Sequence, residues 1–288
     1  MKLLVYGAKG WIGGLFCKYL DNEGIPYSVG LKRIDSTHIS EELVEVSPTN
    51  VISFTGRTHG SIDGKLINTI DYLEYPGKLH ENMKDNLFGP INLAEACKKL
   101  SIHYSYIGTG CIFNGTPDEP FSEESLPNYF GSSYSVVKGY TDTLMRNYSD
   151  NVLNLRIRMP ISSEWNSRNF ITKITKYSKI CSIPNSMTVL DDFFPIFVDL
   201  MKNETTGTLN CTNPGLVSHN EILSSYRNIL QPDFEWTNFT LEEQSKVLKS
   251  DRSNNLLDTS LLQKLYPEIK PIKQSVINVL LKMKNNIK

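Results

Sequence analysis

The stretch KLLVYGAKGWIGG, residues 2–14, decides the fold. Its short apolar run predicts a buried strand, and the residues that follow show helical spacing up to Gly24. Gly7, Gly10 and Gly13 lie between the two at GxxGxxG spacing. In a dinucleotide-binding loop these glycines permit the turn, the approach of the pyrophosphate and the packing of the helix. The position at the first strand–helix junction favours such a loop over a turn that binds no ligand.

The rest of the chain continues the alternation of strands and helices. Apolar runs predict strands at YSVG, NVISFTG, IHYSYIGTG and VLNLRIRMP, with helices at NLFGPINLAEACKKL and SYSVVKGYTDTLMRNY. This order predicts an α/β fold with a Rossmann-type doubly wound parallel sheet over residues 1–160. Residues 161–288 carry short elements separated by loops and end in a predicted helix, PIKQSVINVLLKMKNN. We expect them to form a smaller, irregular α/β lobe that binds the substrate, with some segments crossing between the two parts.

Composition excludes several classes of function. The chain has 288 residues, 40% of them hydrophobic, and a net charge of −1, which argues against nucleic-acid binding. No apolar run approaches the roughly 20 residues of a membrane span, and the N-terminus does not have the pattern of a signal peptide. Five cysteines with no CxxC pair fit a reducing compartment and no metal site. We therefore expect a cytoplasmic protein.

Basic residues near the glycine loop indicate the cofactor. Lys9, Trp11 and Ile12 lie in or just after the loop and are predicted to contact the dinucleotide together with the glycines. The second strand ends in Lys32 and Arg33, at the place where NAD-binding domains carry an acidic residue. Cations there suit a 2′-phosphate, so the sequence favours NADPH, with NADH as the alternative. The alternative is that these lysines are solvated surface residues that do not contact the cofactor.

A tyrosine and a lysine four residues apart provide the candidate reductase chemistry. Tyr134 and Lys138 share one face of a predicted helix, and Thr109 ends a predicted strand. Both residues are also predicted to contact the cofactor, with the lysine near its ribose. An ammonium close to a phenol lowers the pKa of the phenol, which then donates its proton to a carbonyl oxygen during reduction. Tyr266 and Lys270 have the same spacing but no preceding strand and loop, so they are predicted to lie on the surface.

Pro90 interrupts a predicted helix and bears on Asn86. A proline cannot donate to the carbonyl four residues earlier, which here is that of Asn86. The freed carbonyl or the side-chain amide is a candidate to hold a water near the lysine. The alternative is a kink that serves packing alone.

With these residues in hand, the chain resembles the extended short-chain dehydrogenase/reductases, and within them the bifunctional nucleotide-rhamnose synthases. The resemblance rests on GWIGG, TGCIF, SYSVVK, LRIRMPISS, RNFITKI, IPNSMTVL, NPGLVSHNEIL, NFTLEEQ and RSNN, and it runs nearly end to end. It implies 3,5-epimerisation of UDP-4-keto-6-deoxy-D-glucose and NADPH-dependent reduction at C4 to UDP-β-L-rhamnose. It also implies an upstream 4,6-dehydratase, expected here as a separate protein, and a homodimer.

The resemblance gives Cys111 a role in epimerisation. Moving the protons at C3 and C5 requires a base and an acid on opposite faces of the sugar ring, and Cys111 follows Thr109 on the same loop. Related GDP-fucose synthases pair such a cysteine with a histidine, but the matching stretch SRNFITKITKYSK contains none. Lys173 and Lys176 are the candidates for its place, and Lys173 is favoured. The alternative for Cys111 is a small buried side chain with no chemical role.

Substrate binding is assigned to Asn86 and to three further residues. Asn169 opens a predicted helix whose N-terminus would face the diphosphate. Arg252 looks like the arginine that clamps the diphosphate in extended family members, and Arg57 follows the third strand within reach of sugar or cofactor. Each arginine is also compatible with an exposed surface position. Two other functions remain open: a monofunctional 4-ketoreductase that acts on an already epimerised UDP- or dTDP-sugar, and a non-catalytic dinucleotide-binding subunit.

Overall fold

A computed structural model describes residues 1–286 of the chain. The strands are β1 (Leu3–Tyr6), β2 (Tyr27–Val29), β3 (Asn50–Ser53), β4 (Gly60–Ile62), β5 (Lys65–Ile67), β6 (His103–Thr109), β7 (Val152–Ile157), β8 (Lys179–Ile180), β9 (Gly207–Asn210) and β10 (Thr237–Asn238). Six of them form the main sheet in the order β2-β1-β3-β6-β7-β9, and every pairing in it is parallel. The predicted doubly wound α/β class is confirmed.

Helices connect the strands and cover the sheet. They are α1 (Trp11–Asn22), α2 (Ile39–Val46), α3 (Lys78–Met83), α4 (Gly89–Lys99), α5 (Ser133–Met145), α6 (Phe170–Ile174), α7 (Leu190–Lys202), α8 (His219–Ile229), α9 (Leu241–Ser245), α10 (Ser260–Leu265) and α11 (Ile272–Asn285). No helix within residues 1–286 has the length and apolar character needed to cross a bilayer.

Separate apolar cores hold the layers together. Phe16 of α1 and Phe193 of α7 pack on one face of the sheet, while Leu43 of α2 and Leu93 of α4 pack on the other. A third core, which includes Leu280 of α11, lies in the C-terminal part. Each fully buried side chain of this size contributes roughly 1.5–3 kcal/mol to stability. Helix α7 and strand β9 follow residue 160 in the chain, but they belong to the layers of the main sheet. The division of the chain into two domains at residue 160 stays a prediction.

The helix predicted around Pro90 includes a π-helical turn, and the backbone stays helical at Met83, Phe88 and Gly89 on either side of it. A π-helical turn at Lys84–Phe88 precedes α4, and Pro90 lies in the first turn of α4. A proline is tolerated there because the π-helical turn, in which the N–H of Gly89 bonds to the carbonyl of Lys84, already departs from the i to i−4 pattern that a proline breaks. Pro90 has no N–H to donate to the carbonyl of Asn86. That carbonyl instead accepts a hydrogen bond from Thr141 Oγ1 at 2.7 Å.

Candidate active site

A large cleft opens at the carboxyl ends of the parallel strands. Its volume is about 1520 Å³, which exceeds the roughly 300–1,000 Å³ of a site for one small ligand. The glycine loop, the ends of β3 and β6 and one face of α5 line one side, and segments after residue 157 line the other. In open α/β sheets, ligands bind where the strand order reverses, here between β1 and β3.

The glycine loop has the geometry of a pyrophosphate cradle. Gly7 adopts a φ of +79°, which favours glycine. A Cβ atom at Gly13 would lie 2.2 Å from the carbonyl oxygen of Gly7, so α1 packs on the loop only with glycine there. Gly10 precedes α1 and provides no side-chain cap, which leaves the first N–H groups of α1 available to an anion. These features fit a dinucleotide, and Lys9, Trp11 and Ile12 also line the cleft.

The basic end of β2 lies in the cleft but is already paired with acids. Arg33 Nε donates to Asp35 at 2.9 Å, and Arg33 Nη2 donates to Asp85 at 2.7 Å. The backbone N–H groups of Leu31 and Lys32 donate to the buried carboxylate of Glu42 at 2.6 and 3.2 Å. Sequence reasoning missed Glu42 and Asp85 as partners because they come from α2 and from the π-helical turn before α4. They fix the position of the basic loop.

Thr109, Tyr134 and Lys138 meet at one wall of the cleft. Burial raises the pKa of Tyr134, and a hydrogen bond with Thr109 opposes that rise. The predicted lowering of this pKa by Lys138 is wrong for this arrangement, since burial dominates. The Lys138 ammonium instead donates to the hydroxyl of Tyr106 and, at 3.3 Å, to the carbonyl of Ile107. Burial lowers the pKa of Lys138 to about 7.

The second tyrosine–lysine pair lies elsewhere. Tyr266 and Lys270 are outside the cleft, and the Tyr266 hydroxyl donates to Asp199 at 2.7 Å. Equal spacing in the sequence therefore leads to different surroundings.

Cys111 lies in the cleft beside an arginine that sequence reasoning missed. Its backbone N–H donates to Thr109 Oγ1 at 3.1 Å, and Arg158 Nη1 approaches its Sγ to 3.7 Å. The other four cysteines are buried, whereas Cys111 is partly exposed. Asn255 supports the loop through hydrogen bonds to the carbonyls of Gly110 and Phe113, at 2.9 and 2.7 Å. The motif RSNN thus holds the cysteine loop, although about 140 residues separate them along the chain.

Lys173 lines the cleft together with Lys176. Burial, reinforced by the charges of Arg168 and Arg252, lowers the pKa of Lys173 to about 8. Its Nζ donates to the carbonyl of Asn68 at 3.3 Å. Arg168, which the sequence analysis did not single out, donates to Thr58 Oγ1 at 2.9 Å and contacts a ring nitrogen of His59 at 2.9 Å. This wall carries a concentration of positive charge suited to a diphosphate.

The predicted substrate anchors differ in position. Arg252 lines the cleft and donates to Asp71 at 2.6 Å, and Arg57 lines it and donates to Asp85 at 2.8 Å. Asn86 also lines the cleft.

The contacts of Asn86 favour the packing alternative over the candidate water site. Its carbonyl accepts from Thr141, its side-chain oxygen accepts from the N–H of Arg57, and its amide donates to Arg57 and Asn82. These contacts occupy the carbonyl and the amide.

The structure does not bring Asn169 into the cleft. It is fully buried, its amide donates to the carbonyls of Ser162 and Glu164, and its side-chain oxygen caps α6. Its position is that of a loop anchor below the cleft.

The glycine cradle, the Tyr134–Lys138 pair and the parallel sheet together define a dinucleotide-dependent enzyme of the short-chain dehydrogenase/reductase superfamily. Residues 3–177 match the model of the NAD dependent epimerase/dehydratase family. The chain belongs to that family, and within it to the nucleotide-rhamnose synthases. The resemblance inferred from the sequence is confirmed, as is the prediction of an NAD(P)-dependent enzyme.

Three relatives are particularly similar. The crystal structure of the UDP-rhamnose synthase L780 from Acanthamoeba polyphaga mimivirus superposes with a TM-score of 0.95 at 53% identity, over 98% of this chain and 99% of that chain. A bifunctional dTDP-4-dehydrorhamnose 3,5-epimerase/dTDP-4-dehydrorhamnose reductase from Arabidopsis thaliana is 43% identical over 95% of this chain and 90% of its own length. The trifunctional enzyme RHM1 of Arabidopsis thaliana, a UDP-glucose 4,6-dehydratase/UDP-4-keto-6-deoxy-D-glucose 3,5-epimerase/UDP-4-keto-L-rhamnose-reductase, is 44% identical over 96% of this chain, which spans 41% of that protein.

Proposed function

We propose that the chain converts UDP-4-keto-6-deoxy-D-glucose to UDP-β-L-rhamnose by 3,5-epimerisation followed by NADPH-dependent reduction of the C4 ketone. The observation that carries the proposal is that Cys111 and Lys173 line the same cleft as Thr109, Tyr134 and Lys138. A simple ketoreductase needs only the last three. A thiol and a desolvated lysine beside them supply the acid and base that epimerisation requires.

The cofactor is assigned to the glycine side of the cleft. Gly7, Gly10 and the N-terminus of α1 would hold the pyrophosphate, and Lys32 and Arg33 would meet the 2′-phosphate of NADPH. The bound dinucleotide supplies the hydride for reduction.

The remaining roles follow from geometry. Tyr134, kept protonated at neutral pH by its raised pKa, gives its proton to the C4 oxygen, and Thr109 holds the tyrosine hydroxyl. In the epimerisation phase the same two hydroxyl groups stabilise the charge that develops on the C4 oxygen. Burial lowers the pKa of Lys138 to about 7, and its hydrogen bond to the Tyr106 hydroxyl holds it on the same wall of the cleft as Tyr134. Arg168 and Arg252 provide positive charge for the diphosphate, and Arg57, which donates to Asp85, lies within reach of the sugar or the cofactor.

Substrate supply and assembly belong to the same proposal. A 4-keto-6-deoxy sugar nucleotide arises by 4,6-dehydration, so a dehydratase activity must precede this reaction. We also propose a homodimer, supported by the exposed side chains of Phe88, Tyr140 and Leu144 at the start of α4 and on α5. Light scattering on the purified chain tests the dimer directly.

The test of the function uses the purified chain with UDP-4-keto-6-deoxyglucose and NADPH in deuterated water. Proton NMR of a rhamnosyl product with deuterium at both C3 and C5 would support both activities. Cys111→Ala should abolish the deuterium incorporation, while Tyr134→Phe should remove reduction and leave exchange detectable. A reduced product that carries no deuterium, or no turnover until a separate epimerase is added, would reduce the function to that of a simple ketoreductase.

A further inference from the structure

Two buried arginines at the end of β7 have opposite surroundings. Arg156 and Arg158 are 0% and 1% exposed. Arg156 is neutralised by Asp142, to which Nε and Nη2 donate at 2.8 and 2.7 Å. Among residues 1–286, no carboxylate pairs with Arg158. An unpaired buried charge is costly, so a partner of opposite charge is expected where the structure keeps such a residue.

The neutral contacts of Arg158 orient it without cancelling its charge. Nη2 donates to Asn185 Oδ1 at 2.5 Å and to the carbonyl of Ser253 at 2.6 Å, and Nη1 donates to Ser253 Oγ at 2.9 Å. Nη1 also lies 3.7 Å from the Sγ atom of Cys111. The thiol is therefore the group near Arg158 that can acquire a negative charge, and it is the partly exposed cysteine of the cleft.

Other titratable groups also face the thiol. Tyr129 from the loop before α5 and Tyr134 and Lys138 from α5 interact with it electrostatically. Burial raises the pKa of both tyrosines, so they are neutral at neutral pH. Lys138, with a pKa near 7, loses its charge as the pH rises above neutrality. The guanidinium of Arg158 keeps its charge, because arginine is not deprotonated in proteins.

We propose that Arg158 is a positioning residue that holds Cys111 as the thiolate and thereby makes it the base of the epimerisation. This inference rests on the proposed function. The thiolate takes the proton from the carbon next to the ketone; an S–H bond forms, the C–H bond breaks, and its electron pair becomes the C=C bond of an enolate with the charge on the C4 oxygen. The Lys173 ammonium then protonates that carbon from the opposite face and is left as a neutral amine. The thiol returns its proton to solvent and the amine takes one up, which restores both groups.

The test is the pH dependence of alkylation of Cys111 by iodoacetamide in the full-length protein, read from the Cys111 peptide by mass spectrometry. In the unsubstituted protein the half-maximal rate should fall below the pH of about 8.5 typical of free cysteine. Arg158→Met should move that midpoint upward by about one pH unit or more, and Arg158→Lys should restore part of the shift. Arg227→Met is the control: it removes an exposed arginine that lies over the ring of Trp236 outside the cleft, and the midpoint should stay in place.

Two results would overturn the inference. One is a midpoint at or above about 8.5 in the unsubstituted protein, which is informative even if the Met variant does not fold. The other is a superimposable profile in a folded Arg158→Met protein, with folding checked by circular dichroism and NADPH fluorescence. Alkylation does not depend on turnover. If deuterium incorporation is absent but the midpoint is low and depends on Arg158, the proposed epimerisation fails while the ion pair stands.

Discussion

Arg33 Nη2 lies 2.7 Å from the carboxylate of Asp85, while Nε of the same side chain lies 2.9 Å from Asp35. One arginine therefore bridges the loop after β2 and the turn before α4, across the cofactor side of the cleft. Asp85 also accepts from Arg57 at 2.8 Å. The fork of Arg33 is held in a fixed orientation, and a fixed fork is well suited to a 2′-phosphate.

Arg33→Ala should therefore weaken the binding of NADPH more than the binding of NADH. We expect the KM for NADPH to rise roughly tenfold or more, because a charge-assisted contact to the phosphate is lost, and the KM for NADH to change little. Steady-state kinetics with both cofactors measures the ratio. Lys18→Ala removes a cation that pairs with Glu164 outside the cleft and serves as the control. Equal losses for NADPH and NADH in Arg33→Ala would rule out a contact with the 2′-phosphate.

Tyr134→Phe should lower kcat of the reduction by roughly 10²–10⁴-fold, because the proton donor to the C4 oxygen is lost. NADPH binding, followed by fluorescence, should be retained. Tyr266→Phe is the matched control, since it removes the same atom from the second tyrosine–lysine match, where the hydroxyl donates to Asp199 away from the cleft. A Tyr134→Phe enzyme with the kcat of the unsubstituted protein would disprove the assignment.

Lys173 should give epimerisation an alkaline limit. Its ammonium form is lost as the pH rises through the pKa of about 8, so formation of the epimerised rhamnosyl product should fall above that pH. The same shift bears on folding. A lysine with a lowered pKa in the folded state disfavours folding below about pH 8, and this penalty disappears as the pH rises towards the unfolded value of about 10.4.

Lys173→Met separates these two effects at pH 7. Formation of the epimerised rhamnosyl product should be lost, and resistance to urea should be maintained or improved, since the desolvated charge is gone. Lys176→Met is the comparison from the same wall of the cleft. An unchanged yield of the epimerised rhamnosyl product in Lys173→Met would require a different acid.

Asp142→Ala should destabilise the fold by about 3–5 kcal/mol, because it leaves the buried Arg156 without its partner. Asp142 also accepts from Asn154 at 2.7 Å, so the loss spreads into β7. Urea denaturation measures the change. The exposed pair of Lys246 and Glu242 provides the control, for which Lys246→Ala should change stability by less than about 0.5 kcal/mol. A loss in Asp142→Ala as small as in that control would contradict a structural role for the buried pair.

The sequence by itself determined the parts of this protein that depend on local spacing. The three glycines of the cradle, Gly7, Gly10 and Gly13, lie within a few residues of one another. Tyr134 and Lys138 are likewise close in sequence and share one helix face. Over such short separations the periodicity of the backbone sets the geometry. The alternation of apolar runs determined the parallel sheet, because parallel strands need helical connections. The longer motifs resemble those of a known family, so the sequence predicted the family as well as the fold.

Only the tertiary structure decided which distant groups meet. Arg158 reaches Cys111 across 47 positions and Ser253 across 95, and Arg33 reaches Asp85 across 52. The sequence predicted Asn169 at the diphosphate because it precedes a helix. In the structure its side-chain amide instead donates to two loop carbonyls. Such contacts depend on sheet register and on how the segments after residue 160 pack over the strand ends. No periodicity in a single chain encodes them, because each results from the burial of apolar surfaces far apart in sequence.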